Sequence, residues 1–226
     1  MTKEINVFIN KLSSDWEPIK EQAVKYFDLD SKIRGDGAIQ IFRRPWIAPQ
    51  NFGLLLFPPV NKAWFIKFKE NTSIEIPLYY QEILLKMNGC FIYDFSLFGL
   101  PKTMYTSGLL SRENLQQFDL GVANTYWKQE YEIDQQLFHI GGNRYSYTEN
   151  IGYFIDSKNN IILSIRTNGQ ILNKWDNFKD FLIDEIESSE KMMLDKKEKN
   201  ISNNITEVNK TSHKLKQNWW QKLFGN

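Results

Sequence analysis

The second half of the chain constrains the fold most, because five short strand-like runs follow one another there with turn signals between them. From residue 137 onward these runs read LFHIGG, RYSYTE, IGYFID, IILSIR and QILNKW, and they are rich in β-branched and aromatic residues. DSKNN and TNG separate the last three runs at hairpin distances, and Asn168-Gly169 is a strong signal for a tight turn. This part of the chain is therefore predicted to form β-hairpins.

A helix–turn–strand unit is predicted for IPLYYQEILLKMNGC, from Ile76 to Cys90, and the strand-like FIYDFSLF that follows. Pro77 suits the first turn of a helix, and Asn88-Gly89 suits a left-handed C-terminal cap. The following FGLP then ends the strand at Gly99-Leu100-Pro101. Apolar residues recur at helical spacing within the unit: Tyr80, Ile83, Leu84 and Met87.

Other segments with helical patterns lie on both sides of this unit. The first follows Asp15, a candidate N-cap, and has Pro18 in its first turn. Further helices are predicted over residues 60–73, over 111–131 with Ser111 as a cap, and over 175–187 with Asp176 as the N-cap. AIQIF at 38–42 is predicted as a short strand. The stretch 43–60 holds four prolines and is predicted to be irregular.

Composition and charge indicate a packed domain and exclude some partners. Aromatic residues make up 15% of the chain, which favours a heavily aromatic core over a stacking surface. The net charge of +1 gives no field directed at nucleic acid or at an anionic membrane, so neither is expected as a partner. Residues 1–186 carry 20 basic and 22 acidic groups, a net −2, and residues 187–226 carry 8 and 5, a net +3.

Targeting and disulfide signals are weak in this sequence. Cys90 is the single cysteine, so no intrachain disulfide is expected, and its apolar surroundings predict a buried small residue. The N-terminal residues do not resemble a signal peptide, and the longest apolar run is broken by Pro58 and Pro59. We therefore expect a cytoplasmic protein without a membrane span.

Motifs for catalysis, cofactors and metals are missing from the sequence. The two histidines, His139 and His213, belong to no HExxH motif or cysteine cluster, and G-x-S-x-G is absent. IGGNRY at residues 140–145 lacks the full phosphate-binding patterns and is better interpreted as a tight turn. We therefore expect no enzyme, no cofactor and no metal site.

The C-terminal segment differs from the rest of the chain. Residues 188–226 are rich in Lys, Asn and Ser, which is typical of a flexible tether or a solvated helix. An apolar group ends it, and three roles are open for this group: docking on the domain, contact with a partner, or contact with a membrane interface. Its members are Trp219, Trp220, Leu223 and Phe224.

The order of these segments resembles the SUKH superfamily, which groups the fungal cell-wall-synthesis regulators, Syd and many bacterial toxin-immunity proteins. The resemblance covers roughly residues 60–187, with Cys90 where the family has a second glycine. Residues 1–59 are then an N-terminal helix and irregular extension packed on the core, and 188–226 a tether. The residues that carry the resemblance are Pro77, Tyr80, Leu84, Asn88, Gly89, Gly99, Leu100, Gly141, Gly142, Asn143, Trp175, Phe178, Phe181 and Leu182.

The resemblance implies an α+β fold with a mainly antiparallel central sheet flanked by helices, and no catalytic machinery. Bacterial relatives typically bind a cognate secreted toxin, often a nuclease or deaminase, inside the producing cell. The matched residues are expected to be structural, with partner contacts on loops and exposed strand faces. A regulatory scaffold protein is the alternative. A ligand-binding module or unrecognised enzyme that uses the aromatic surplus is a third possibility.

Overall fold

The described residues form one sheet of nine β-strands, in which each strand pairs with its neighbours in the sequence. In this computed structural model, which describes residues 2–48, 51–100, 119–146 and 149–196, every pairing is antiparallel and the order is β1 to β9. The strands are β1 (Lys32–Ile33), β2 (Ile39–Arg43), β3 (Phe52–Leu56), β4 (Cys90–Ile92), β5 (Phe95–Leu97), β6 (Phe138–Ser146), β7 (Glu149–Asp156), β8 (Ile161–Arg166) and β9 (Ile171–Trp175).

Helices flank this sheet, so the predicted α+β class with a central antiparallel sheet is confirmed. The chain consists of two compact units, Met1–Ser189 and Glu190–Asn226, and of the second unit the structure describes only 190–196, which are helical. The helices of the first unit are α1 (Lys3–Lys11), α2 (Glu17–Lys25), α3 (Lys62–Thr72), α4 (Leu78–Leu84), α5 (Leu120–Thr125) and α6 (178–189), with 3-10 helices at Ser14–Trp16 and Trp127–Glu130.

A cluster of large aromatic side chains packs where α6 covers the sheet. Phe181 of α6 is fully buried, and its ring lies 5.7 Å from that of Phe95, 5.0 Å from that of Tyr153 and 5.1 Å from that of Trp175. These contacts join α6 to β5, β7 and β9. Edge-to-face rings of this kind add about 0.5–1.5 kcal/mol per pair beyond the burial of their area. Many of the aromatic residues of the chain thus pack in the core.

Local turn signals predicted the β8–β9 hairpin correctly. Gly169 has φ +79°, a left-handed conformation that glycine adopts without steric cost. Its N–H donates to the carbonyl of Arg166 over 2.9 Å, and the N–H of Arg166 donates to the carbonyl of Gln170 over 2.9 Å. The predicted turn at Asn168-Gly169 is confirmed.

The stretch predicted to be irregular, residues 43–60, contains β3, so that prediction was wrong for Phe52–Leu56. Its four prolines all lie outside the strand, and each residue of the strand therefore keeps the N–H that a ladder requires. β3 pairs with β2 and β4. Three strands of the sheet thus come from residues 1–59, which were predicted as an N-terminal helix and irregular extension packed on the core.

Several helix boundaries also differ from the predictions. α1 was not predicted, and α2 begins at Glu17 after a 3-10 turn without a side-chain cap from Asp15. Asn177, rather than Asp176, caps α6, because its side-chain oxygen accepts from the N–H of Asp180 over 2.9 Å. Only the part of 111–131 from Asp119 onward is described, and Asp119 caps α5 there. Ser111 lies outside the described residues.

Candidate functional site

Tyr80 and Asn88 of the helix–turn–strand unit bind the backbone of the chain just after β5, and Tyr80 also binds that of β6. Tyr80 is fully buried on α4, and its hydroxyl lies 2.6 Å from the carbonyl oxygen of Phe98 and 3.1 Å from that of Ile140. The amide nitrogen of Asn88 donates to the carbonyl of Leu100 over 2.9 Å, and its oxygen accepts from the N–H of Leu100 over 2.8 Å. Both side chains therefore provide hydrogen bonds to backbone groups in the interior of the protein.

Three glycines of the resemblance allow backbone segments to approach closely. A Cβ atom on Gly99 would lie 2.2 Å from the carbonyl oxygen of Asn88, and one on Gly141 would lie 2.3 Å from that of Ser96. Gly89 has φ +82° and lies just before β4, but α4 ends at Leu84, earlier than the predicted C-cap. These positions exclude any side chain because of packing.

Gly141, Gly142 and Asn143 lie inside β6, so the prediction of a tight turn at these residues was wrong. The reason is that Gly141 meets the backbone of β5 and Gly142 belongs to the ladder between β5 and β7. Glycine inside a strand often marks such a close approach. Asn143 is buried and donates through its amide to the hydroxyl of Ser189 over 3.1 Å.

The remaining motif residues are structural as well. Pro77 is the N-cap residue of α4, and Leu84 is fully buried. The indole N–H of Trp175 donates to the carboxylate of Asp184 over 2.7 Å, and the ring of Phe178 lies edge-on to that of Trp16 at 4.8 Å. The group Trp219, Trp220, Leu223 and Phe224 lies outside the described residues.

A cavity of about 460 Å³ opens on the sheet face opposite to Phe181. Ser96, Gly142 and Gly152 pair across β5, β6 and β7 in a single row, so small residues occupy the middle of this face. We call the cavity the aromatic cleft. The residues that shape it include Phe91, Tyr93, Phe98, Trp127, Tyr131 and His139.

The walls of the aromatic cleft are held by contacts between rings. The Trp127 ring, on the 3-10 helix after α5, stands edge-on to Phe98 at 5.5 Å. His139 of β6 stacks on Phe154 at 4.4 Å and stands edge-on to Phe98 at 5.1 Å and to Tyr131 at 5.5 Å. Strands and a short helix thus present a prearranged apolar surface.

His139 is a buried, neutral side chain of this cleft. It is 3% exposed, and neither ring nitrogen has a hydrogen-bond partner among the described residues. Burial lowers the pKa of His139 to about 4, with a smaller contribution from the charge of Lys128, while the nearby backbone of Ala123 and Gly141 opposes the shift only in part. The imidazole is therefore uncharged at neutral pH.

Two carboxylates, those of Asp94 and Glu130, also line the aromatic cleft. Asp94 interacts electrostatically with Arg44, whose guanidinium lies 5.7 Å from the centre of the Tyr93 ring. Glu130 is exposed. Lys128 is buried, does not belong to the lining, and donates its ammonium protons to the carbonyls of Gln135 and Leu137. The charged side chains that the described residues contribute to the lining are therefore acidic.

A second polar group is buried beneath α6. The hydroxyl of Tyr153 donates to the carboxylate of Glu185, which is 9% exposed. Burial is the main cause that raises the pKa of Glu185, and the hydrogen bonds from Tyr153 and Asn143 oppose this shift. Burial likewise raises the pKa of the fully buried Cys90 thiol to about 12, so the prediction of a buried small residue is confirmed.

Within the described part of the chain, no three His, Cys, Asp or Glu side chains are grouped as a metal site would require. None of the helices formed by the described residues is both long and apolar enough to cross a membrane. Comparisons with protein-family models, with curated proteins and with solved structures found no significant match to this chain.

The aromatic cleft was not predicted from the sequence. Its walls come from segments that are far apart in the sequence, and only the strand pairing brings Ser96 beside Gly142. His139 was noted, but as a residue of a strand without a role. The one local signal was the cluster of aromatic and charged residues in YWKQEY, residues 126–131, which was interpreted as part of a helix.

Proposed function

We propose that this chain is a non-catalytic protein-binding domain of the SUKH type, acting as an immunity protein that binds and neutralises a cognate protein toxin inside the producing cell. The observation that carries the proposal is the convergence of the motif residues. Tyr80, Asn88, Gly99 and Gly141 come from three segments of the sequence, and they meet where α4, β5 and β6 are joined. Because all four residues join these elements, the motifs that contain them have a common structural role.

The chemistry of the cleft supports binding rather than catalysis. A general base at neutral pH works best with a pKa near 7, whereas that of His139 is about 4. The aromatic walls and exposed carboxylate of Glu130 instead suit a protein interface, where aromatic residues provide much of the binding energy. A basic toxin, such as a nuclease, suits the two carboxylates of the cleft, whereas the net −2 of residues 1–186 is too small to steer a partner.

Co-expression tests the proposal. The full chain is produced in a sensitive host together with each secreted toxin domain encoded beside its gene, and growth is measured with and without the chain. We expect one toxin domain to stop growth alone and to be tolerated when the chain is present. If none of these domains is neutralised and the chain instead captures housekeeping proteins, the regulatory scaffold alternative is favoured.

A further inference from the structure

The aromatic cleft has the charge and shape of a site for a cationic side chain. Among the described residues that line it, those ionised at neutral pH are the acids Asp94 and Glu130, since the imidazole of His139 is uncharged. Its volume of about 460 Å³ lies within the roughly 300–1,000 Å³ typical of ligand pockets. The lining combines aromatic rings with carboxylates, the two groups that attract a cation in a partly desolvated site.

An arginine fits these walls better than a lysine does. A guanidinium is planar, stacks on aromatic faces and binds a carboxylate through two parallel hydrogen bonds, whereas an ammonium is a strongly hydrated point charge. The protein itself provides an example at the edge of the cleft, where Arg44 lies against the Tyr93 ring. Because Asp94 already interacts with Arg44, the carboxylate for an incoming cation is that of Glu130.

We propose that the aromatic cleft receives an arginine side chain of the protein partner, with its guanidinium against the Trp127 ring and paired with the Glu130 carboxylate. The identity of that partner as a toxin rests on the function proposed above, whereas the preference for arginine rests on the cleft alone. Lys128 does not fill this role from within, because its ammonium is bound by the carbonyls of Gln135 and Leu137.

The test uses the full chain and Nα-acetyl-arginine methylamide as the probe, followed by ¹H–¹⁵N NMR. A Trp127→Phe variant assigns the indole N–H signal of Trp127. We expect saturable shifts of this signal and of the Gly142 amide. The neutral isostere Nα-acetyl-citrulline methylamide should give at least tenfold weaker binding, and the lysine analogue should bind less tightly than the arginine probe.

Glu130→Gln provides the decisive variant and Glu132→Gln its matched control. Both remove one exposed carboxylate from the same segment, but Glu132 does not belong to the lining. We expect Glu130→Gln to weaken binding of the arginine probe at least fivefold and Glu132→Gln to leave it unchanged. The proposal is overturned if the arginine probe causes no saturable shift, or if the citrulline or lysine probe binds as tightly as the arginine probe. It is also overturned if Glu130→Gln leaves the affinity for the arginine probe unchanged.

This experiment separates the cleft from the proposed function. Arginine binding without neutralisation of any toxin would contradict the immunity function and leave the cleft assignment standing. Neutralisation of a toxin that Glu130→Gln does not weaken, with no binding of the arginine probe, would contradict the cleft assignment alone.

Discussion

The side-chain amide of Asn88 forms two hydrogen bonds with the backbone of Leu100, one to its carbonyl at 2.9 Å and one from its N–H at 2.8 Å. Both residues are buried, with Asn88 3% exposed and Leu100 fully enclosed. The pair joins the turn after α4 to the chain that leaves β5. The Asn88 amide offers a donor and an acceptor on two separate atoms, which match the carbonyl and the N–H of Leu100.

Replacement of Asn88 by alanine is expected to destabilise the fold by about 1–3 kcal/mol, because it removes two hydrogen bonds to the buried backbone of Leu100. Urea denaturation of the variant and of the parent protein measures this loss. Asn159→Ala is the matched control, since the Asn159 amide binds Asp156 in an exposed turn. Equal stability of the two variants would contradict the role of the Asn88–Leu100 pair.

Gly99→Ala is expected to cost about 3 kcal/mol, because its Cβ would lie 2.2 Å from the carbonyl oxygen of Asn88 and the backbone must shift. Gly35→Ala is the control, since no atom lies within 4 Å of a Cβ at that position. It should change the free energy of unfolding by less than about 1 kcal/mol. Thermal or urea denaturation gives both values, and a Gly99→Ala variant as stable as Gly35→Ala would contradict the close backbone approach.

His139 is expected to make stability fall in mild acid. Its pKa is lowered from 6.5 to about 4 in the folded protein, so the unfolded chain binds more protons between these values. The resulting stabilisation is fully present above pH 6.5 and declines as the pH falls towards 4, by about 3 kcal/mol in all. Denaturation of His139→Phe and of the parent between pH 4 and 7 should show this decline only in the parent.

An NMR titration of the imidazole signals provides the direct control for that prediction. The chain has two histidines, so the signal that disappears in His139→Phe belongs to His139. We expect it to titrate near pH 4. Titration near 6.5 would mean that the imidazole is solvated, in contradiction to its burial beside Phe154.

Glu185 is expected to have the opposite effect on stability. Its folded-state pKa is raised above the ordinary 4.5, so the folded protein binds more protons and stability declines as the pH rises through this window. Glu185→Gln keeps an acceptor for the Tyr153 hydroxyl and removes the buried charge. The variant should be at least as stable as the parent at pH 7 and should lose this advantage towards pH 4.5. A marked loss of stability at pH 7 would contradict the prediction.

The sequence predicted those parts of the fold that depend on neighbouring residues. The hairpin at Asn168-Gly169 follows from the left-handed conformation that glycine favours, and the helix over Lys62–Thr72 follows from the apolar spacing of residues 60–73. The hairpin between β4 and β5 was predicted as one strand. Its turn contains Tyr93 with φ +56°, a conformation that is uncommon for a bulky side chain and that the sequence therefore does not suggest. No local pattern indicates such a turn.

The candidate site depends on contacts between residues that are distant in the sequence, so it could not be predicted from local patterns. Ser96 and Gly142 become neighbours only through the pairing of β5 with β6, and Trp127 reaches the same face from the helix before β6. The glycines were recognised, but tight turns and close backbone approaches both favour glycine. Only the register distinguishes the two.

The central claim, that this chain binds and neutralises a protein toxin, is tested most directly by titration of a captured toxin. The tagged full chain is purified from cells that also express the adjacent genes, and the activity of any captured toxin domain is measured against increasing amounts of the chain. We predict that one domain is captured and that its activity disappears at an equimolar ratio. Full activity in the presence of excess chain, or capture of no such domain, would contradict the account.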